Sequence, residues 1–423
     1  MPNSYHEATK HTYLSVRSGA RQLEWSKMPK TFKIYPNSFP LKRLDLDKKI
    51  DRFIYLIGGI TAKKVYPGVE YYLRTVPSAG ALYPVEIYFQ ARDVKGFKNG
   101  IYHLSPAENG VRLLYEIKDE EGVEFHLKDK RMIKGFLFLF SSIYFRSSWK
   151  YSSRAFRYTL LDTGHALGAL EASCHLYEHA FFILYDFDKK VLNEKFGFKD
   201  IEFFLSGAKV GIPQKKETNF FDLNLPFVDP TETFETNEVI QKSYLESLML
   251  TGCKKEYRFP KFNFHKERFY ETILNRRSIR KFSKLPIKSE EFEYIYQTIT
   301  EPIPSDCDEK VEIYYIVNKV LGMKQGLYKN KELLKEGDFS QIARYLCLEQ
   351  ALGGDSAVTF FLTSNGNNYQ SLYQKAGIIG QRCYLSSEYL QIGCSGIGAY
   401  YDDDVKNFLH SEDMVLYALA IGK

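Results

Sequence analysis

The sequence predicts an α+β fold made of two similar domains. Three observations lead there: the length of the chain, a set of motifs that occurs twice, and helix and strand periodicities that follow one another without strict βαβ alternation. The 423 residues exceed what one hydrophobic core usually organises, so two domains are expected. A hydrophobic share of 44% and a charged share of 26% are those of a folded chain and exclude general disorder. With 32 Tyr, 32 Phe and 2 Trp, the chain can fill thick cores and also line a flat, ring-shaped ligand.

The repeat is read from four motifs in the same order. Pro77-Ser-Ala-Gly-Ala-Leu-Tyr-Pro-Val-Glu-Ile-Tyr88 and Gly100-Ile-Tyr102 have counterparts in Pro304-Ser-Asp-Cys-Asp-Glu-Lys-Val-Glu-Ile-Tyr314 and Gly326-Leu-Tyr328. Pro304 lies 227 residues after Pro77, and Glu312 and Gly326 each lie 226 residues after Glu86 and Gly100. Downstream, Tyr158 to Glu171 lines up with Lys375 to Glu388, and each half closes on an apolar strand and a glycine. Near-constant offsets predict domains over 1–212 and 252–423, joined by a polar linker over 213–251.

Each element has a local reason. Val85 to Ala91 alternates around Ile87 and Phe89 and predicts a strand. Tyr158 to Tyr177 places Leu161, His165, Gly168, Ala172 and Leu176 at helical spacing, with small residues that permit close packing. Phe203 to Gly211 reads as the closing strand of the first half. Phe264 to Arg277 predicts a helix whose last turn is basic, as the helix dipole favours. Cys394 to Tyr400 reads as a glycine loop opening a helix before Asp402, and Val415 to Gly422 as the last strand.

Several function classes are excluded. No run of about 18 apolar residues occurs, the longest candidate being Gly135 to Phe145, and Met1 to Lys10 lacks the apolar core of a signal peptide. A net charge of +6, from 58 basic and 52 acidic residues scattered along the chain, gives no nucleic-acid or membrane partner. The six cysteines include no Cys-x-x-Cys pair; they imply no disulfide or zinc framework and read as buried small hydrophobes in a reduced, cytoplasmic protein.

Three stretches could hold a ligand. In Asn275-Arg-Arg-Ser-Ile-Arg-Lys-Phe282, an extended backbone would put Arg276, Ser278 and Arg280 on one side, with Arg277 between them, to meet a phosphate. A solvated basic helix terminus is the competing reading. In Pro77 to Pro84, the small Ser78, Ala79 and Gly80 would let a ring lie against backbone amides, or would simply form a tight turn. The third is the Ile397-Gly398 loop.

Together, Arg276-Arg-Ser-Ile-Arg280, the Ser-Gly-Ile-Gly-Ala-Tyr-Tyr loop and the terminal Ala-Ile-Gly422 resemble the FMN-dependent nitroreductase superfamily. Pro77 to Pro84, Tyr5 to His11, Leu23-Glu-Trp25, Phe32 to Tyr35 and Trp149-Lys-Tyr151, followed by Arg154, Tyr158 and Gly164-His165, narrow the resemblance to its SagB/ThcOx-type branch, whose members include azoline dehydrogenases. The resemblance implies two nitroreductase-like domains forming an intrachain pseudo-dimer, monomeric or paired again, with mainly antiparallel sheets.

It also implies FMN bound at the interface of the two, an oxidoreductase activity, and proton transfer by Lys150 and Tyr151. Pro77, Ser78, Ala79, Gly80, Arg276, Arg277, Ser278, Arg280, Ile397, Gly398 and Lys423 would hold the cofactor. The departures imply a single FMN per chain. The first half has only a loose basic echo in Arg17-Ser-Gly-Ala-Arg21, whereas the second has acidic residues in Asp306 to Lys310 and no Lys-Tyr pair near Asn367 to Gln370. His103 and His165 are substrate-pocket candidates that could equally be a surface-strand and a core histidine.

Three functions follow. The first is a dehydrogenase passing hydride to FMN from an azoline-like or other small heterocyclic or peptide-borne substrate. The second is an NAD(P)H-dependent nitro- or quinone-type reductase, and the third a flavin-free scaffold. A proton-abstracting base is needed only by the first.

Overall fold

The structure, a computed structural model, describes residues 2–19, 22–66 and 69–423. Ala20 and Arg21, the end of the basic echo, lie outside the described residues. The chain divides into two compact units. One comprises the residues through Gln22, Pro260–Pro302 and Glu309–Lys423; the other comprises Leu23–Phe259 and Ile303–Asp308.

The first unit begins with helices α1 (Pro2–Ala8) and α2 (Tyr13–Ser18). Within that unit Lys10 Nζ reaches Asp403 Oδ1 at 2.7 Å, and the backbone N–H of His11 donates to Asp402 Oδ2 at 2.8 Å. These contacts join the amino terminus to the carboxy-terminal part of the chain. The sequence-derived first domain places it instead with residues up to 212.

The second unit contains β1 (Leu41–Arg43), α3 (Lys49–Gly58), the hairpin β2 (Ile60–Tyr66) and β3 (Val69–Arg74), β4 (Val85–Arg92), β5 (Gly100–Ser105) and β6 (Gly110–Glu116). It continues with β7 (Arg131–Ile143), α4 (Phe145–Tyr151), α5 (Ala155–Tyr177), β8 (Phe182–Leu184), α6 (Lys189–Lys195), β9 (Glu202–Glu217) and α7 (Glu238–Glu246). Its main sheet has the order β1-β6-β5-β4-β7-β9-β8, antiparallel throughout.

The strand β7 is buried on both faces, as its run of Phe and Leu requires. Phe136 and Phe138 meet Phe53 of α3, with ring centroids 5.7 and 6.1 Å apart, while Leu137 and Leu139 join a cluster around Tyr88, Phe196 and Phe204. The helix α5 is buried almost all round, which explains its small and apolar residues on every face. Part of the expected linker is structured here. The strand β9 runs through residues 213–217, and Tyr244 of α7 stacks on Phe203 with centroids 4.0 Å apart.

The remainder of the first unit carries α8 (Lys266–Asn275), β10 (Ile287–Lys288), α9 (Ser289–Thr300), β11 (Glu312–Val317), β12 (Val320–Leu321), β13 (Gly326–Lys329) and β14 (Glu332–Glu336). Then come α10 (Ser340–Leu346), α11 (Ala351–Asp355), β15 (Val358–Ser364), α12 (Tyr369–Tyr389), β16 (Gly393–Ile397), α13 (Asp402–Leu409) and β17 (Met414–Gly422). Its sheet order, β14-β13-β11-β15-β17-β16, follows the same path as β6-β5-β4-β7-β9-β8 in the other unit. A long buried helix, α12 or α5, precedes the edge strand in each. The folds are therefore α+β with antiparallel main sheets, β10 and β12 forming a separate short parallel pair.

Two sequence expectations are corrected. The first part of the expected Cys394 to Tyr400 loop is strand β16, in which Gly393 and Gly396 make room for Ile279 and Tyr417; only Gly398 to Tyr400 remains loop, leading into α13. Cys253 and Cys307 form a disulfide, whereas the sequence implied none. They are 54 residues apart, and tertiary contacts bring them together: the pairing of Glu256 with Ser305 and the bond from Lys254 N–H to Asp308 Oδ1 at 2.9 Å. Cys174, Cys347, Cys383 and Cys394 are buried, in keeping with their reading as small hydrophobes. Among the described residues no helix is long and apolar enough to cross a membrane.

Candidate functional site

In the second unit, the Pro77 to Pro84 segment forms a loop with an unusual backbone. Gly80, Ala81 and Tyr83 all have positive φ, at 66°, 55° and 46°. For Ala and Tyr this left-handed conformation costs on the order of 1–3 kcal/mol each unless the surroundings enforce it. Here they do. Ser78 Oγ donates to Asp162 Oδ2 at 2.6 Å, Ala79 N–H donates to Asp162 Oδ1 at 3.3 Å, and Tyr83 N–H donates to Ser78 Oγ at 2.9 Å. From the other side, Arg146 Nη1 donates to the Tyr83 carbonyl at 2.9 Å and to Glu86 Oε1 at 2.6 Å.

Lys150 and Tyr151 end α4, where Ser152 turns the chain with a φ of 49°. Their tips converge over the loop. A Cβ placed on Gly80 would lie 2.7 Å from the Tyr151 hydroxyl and 3.3 Å from Lys150 Nζ. Residue 80 must therefore lack a side chain for the two groups to close over it. The Tyr151 ring also packs edge-on against Tyr158, centroids 4.7 Å apart, and the Tyr158 hydroxyl accepts from Arg154 Nε at 3.3 Å.

Asp162, on α5, was not among the residues singled out from the sequence. Its carboxyl is buried, and burial raises its pKa to about 7 against the opposing effect of the bonds from Ser78 and Ala79. The available signal was an acid in an apolar helical run, beside Leu160 and Leu161.

His103 and His165 both lie in the interior. His103 Nε2 bonds Glu86 Oε2 at 2.8 Å, which makes it part of the support behind the loop. Burial disfavours the Glu86 carboxylate, but Arg146, His103 and Arg74 outweigh it and hold the pKa at about 2. The counterpart of the loop in the sequence repeat is used differently. Asp306 accepts from the backbone N–H groups of Tyr185, at 2.9 Å, and Asp186, at 3.0 Å.

In the first unit, the arginine run leaves α8 as extended chain. Ser278 bridges to Cys394 of β16, and Ile279 N–H donates to the Cys394 carbonyl at 3.1 Å. Arg276 is buried with its guanidinium carbon 5.3 Å from the Tyr384 ring centroid. Ser278 Oγ lies 2.8 Å from the Tyr384 hydroxyl, which also accepts from Gly396 N–H at 2.6 Å.

Burial holds the Tyr384 phenol at a pKa of about 12. Burial also raises the Glu388 carboxyl, against the pull of Arg276 and Arg277. Arg277 Nη1 is turned back onto the carbonyls of Leu274 and Arg276, at 2.9 and 2.7 Å, while Arg280 is exposed. Ile397 is buried at the end of β16, and Gly398 follows it half-buried. Ser395 Oγ, on the same strand, is buried without a hydrogen-bond partner among the described residues. Lys423 Nζ pairs with Glu291 at 3.0 Å, so its charge is already met within the unit.

Residues 273–423 match the Nitroreductase family. A nitroreductase-type protein of Methanocaldococcus jannaschii is 32% identical over 120 residues, which are 28% of this chain. The match spans 57% of that relative's length. Among solved structures, a nitroreductase-type protein from Anabaena variabilis aligns over 100% of this chain and 99% of its own, with a TM-score of 0.80 at 23% identity. That likeness shows a shared fold. The Escherichia coli microcin synthetase complex also aligns, over 50% of this chain and 87% of its own at 13% identity, but its TM-score of 0.33 is too low to carry an argument.

Proposed function

Because its carboxy-terminal part carries a Nitroreductase family domain, we propose that the protein is an FMN-dependent oxidoreductase of the SagB/ThcOx type. In this reading it dehydrogenates an azoline-like or other small heterocyclic or peptide-borne substrate. The shared strand order of the two units supports the accompanying view that the chain is a tandem duplication acting as its own pseudo-dimer.

The residues present suit an FMN. Ser395 Oγ is a buried hydroxyl with an unspent bond, beside a segment that offers Arg276, Ser278 and Arg280. With Gly396 N–H donating to the Tyr384 oxygen, the phenol proton is available to Ser278. The serine's own proton is then left for a phosphate oxygen. Bound FMN supplies a hydride acceptor.

The rest is done by the chain. The Pro77 to Ala81 backbone positions the loop beneath the Lys-Tyr pair, Tyr151 takes the substrate proton, and the Lys150 ammonium favours the phenolate this requires. One observation carries the reading: the Tyr151 hydroxyl and Lys150 Nζ both close on Gly80.

A visible spectrum of the purified protein tests the cofactor, with about one FMN per chain expected after reconstitution. Tyr151→Phe and Lys150→Ala should each slow turnover of a heterocyclic substrate by about 10²-fold or more while FMN loading stays near wild type. Undiminished turnover with NAD(P)H and a nitro or quinone acceptor in both variants, with no dehydrogenation by the wild type, would assign the protein to the reductases instead. A chain that takes up no FMN would be a scaffold.

A further inference from the structure

We infer that Asp162 is the positioning residue of this site: its carboxylate fixes the Ser78–Tyr83 loop in the conformation over which Lys150 and Tyr151 close. The inference deepens the proposed function and rests on that reading for its catalytic meaning, although not for its structural content.

The geometry is specific. One carboxylate oxygen takes the Ser78 hydroxyl at 2.6 Å and the other takes the Ala79 amide at 3.3 Å. Ser78 passes the restraint on, accepting from Tyr83 N–H at 2.9 Å. Both ends of the strained stretch from Gly80 to Tyr83 are thereby tied to a single side chain on the rigid helix α5. A carboxylate does this best, because two oxygens accept simultaneously and neither must donate. A protonated carboxyl carries a donor on one oxygen, which then faces the Ser78 hydroxyl or the Ala79 amide and weakens one of the two bonds.

The surroundings make that change of state accessible near neutral pH. Asp162 is 6% exposed, and burial pushes its carboxyl up to about 7. The titratable groups on the loop it holds are Lys150 and Tyr151 at Gly80, and Arg74 and Arg146 on Tyr83, with Glu86 paired to Arg146; on α5, Tyr158 and His165 lie one helical turn to either side of Asp162. The bonds from Ser78 and Ala79 favour the charged form, while burial opposes it. Above neutral pH the loop is held; below it, one restraint relaxes and the backbone under Tyr151 loosens.

The test is hydrogen exchange on the full-length protein without added flavin, from pH 5.5 to 8.5. It is read as protection factors at the Ala79 and Tyr83 amides, so that the intrinsic pH dependence of exchange divides out. In the wild type, protection at both amides should rise about tenfold or more, with a midpoint near neutrality. Asp162→Asn should give low protection that does not vary with pH. Ser78→Ala, which keeps the carboxylate, should lose protection at Tyr83 and retain the pH-dependent rise at Ala79.

Flat wild-type protection, or wild-type behaviour in Asp162→Asn, would overturn the inference. If Asp162→Asn does not fold, the wild-type profile and Ser78→Ala still decide it. A protein that shows the pH-dependent rise but takes up no FMN fails the functional reading alone. One that loads FMN with flat protection fails this inference alone.

Discussion

Gly80 concentrates the residue-scale argument. Its φ of 66° is costly for a residue with a Cβ, and a methyl there would press on the Tyr151 hydroxyl at 2.7 Å. Gly80→Ala should therefore destabilise the protein by about 1–2 kcal/mol and slow substrate dehydrogenation at least tenfold, as read by thermal denaturation and steady-state kinetics. Adding Tyr151→Phe removes the atom in the way. The double variant should be less destabilised than the two single effects together, with a coupling of about 1 kcal/mol in a double-mutant cycle. Strict additivity would mean that the Tyr151 hydroxyl does not lie over residue 80. The sequence drew attention to Gly80 through its run of small residues, and to Lys150 and Tyr151 through the family resemblance. It was silent on Asp162, whose role depends on which loop α5 packs beneath, and no local pattern encodes that.

At the scale of elements, the phosphate-side residues depend on how β16 lies along the segment that follows α8. Ser278 bridges Cys394, and this close approach requires Gly393: a Cβ there would come within 1.7 Å of Ile279 Cδ1. Gly393→Ala should lever the Ser278–Ile279 backbone away from β16. FMN affinity, measured by fluorescence titration, should fall about tenfold, with a stability loss of about 1–3 kcal/mol typical of overpacking. Ile279→Ala in the same chain removes both clashing carbons, Cδ1 and Cγ1, and should restore most of the affinity. No recovery would place the effect elsewhere. The periodic elements were legible from their residues: β4, α5, α8 and β17 lie where alternation or helical spacing put them, with ends moved by a few residues. The strand within Cys394 to Tyr400 was not, since Gly396 reads as loop unless the side chain that fills the space above it, Tyr417, is known.

Across the whole molecule, the unit boundaries were the least legible feature. The contacts of Lys10 with Asp403 and of Glu256 with Ser305 join residues hundreds or tens of positions apart, so neither the placement of the amino terminus nor the Cys253–Cys307 bond follows from local sequence. Stability against pH is likewise a property of the whole chain, yet two buried acids give it a testable shape. Glu86 has a folded pKa of about 2, below its ordinary 4.5, so its contribution is present above pH 4.5 and is lost as pH falls toward 2. Asp162 runs the other way. Its pKa of about 7 exceeds its ordinary 3.8, so its contribution is fully present below 3.8 and is lost as pH rises to about 7.

Ionised Asp162 is therefore a strain that the fold tolerates in order to hold the loop. Removing the charge should relieve it: Asp162→Asn is expected to melt a few degrees above the wild type at pH 8, with the difference closing toward pH 4. The rise from 3.8 to about 7 bounds the gain at about 4 kcal/mol, and the bond that an amide cannot make to Ser78 or Ala79 reduces it. Glu86→Gln should behave oppositely, losing stability at pH 6–8 and converging with the wild type in strong acid, because it leaves Arg146 buried without its anionic partner. Melting curves of the three proteins between pH 4 and 8.5 separate these effects. An Asp162→Asn variant that is less stable than the wild type at pH 8 would mean that the carboxylate is a net stabiliser, and that the loop is held at no cost to the fold.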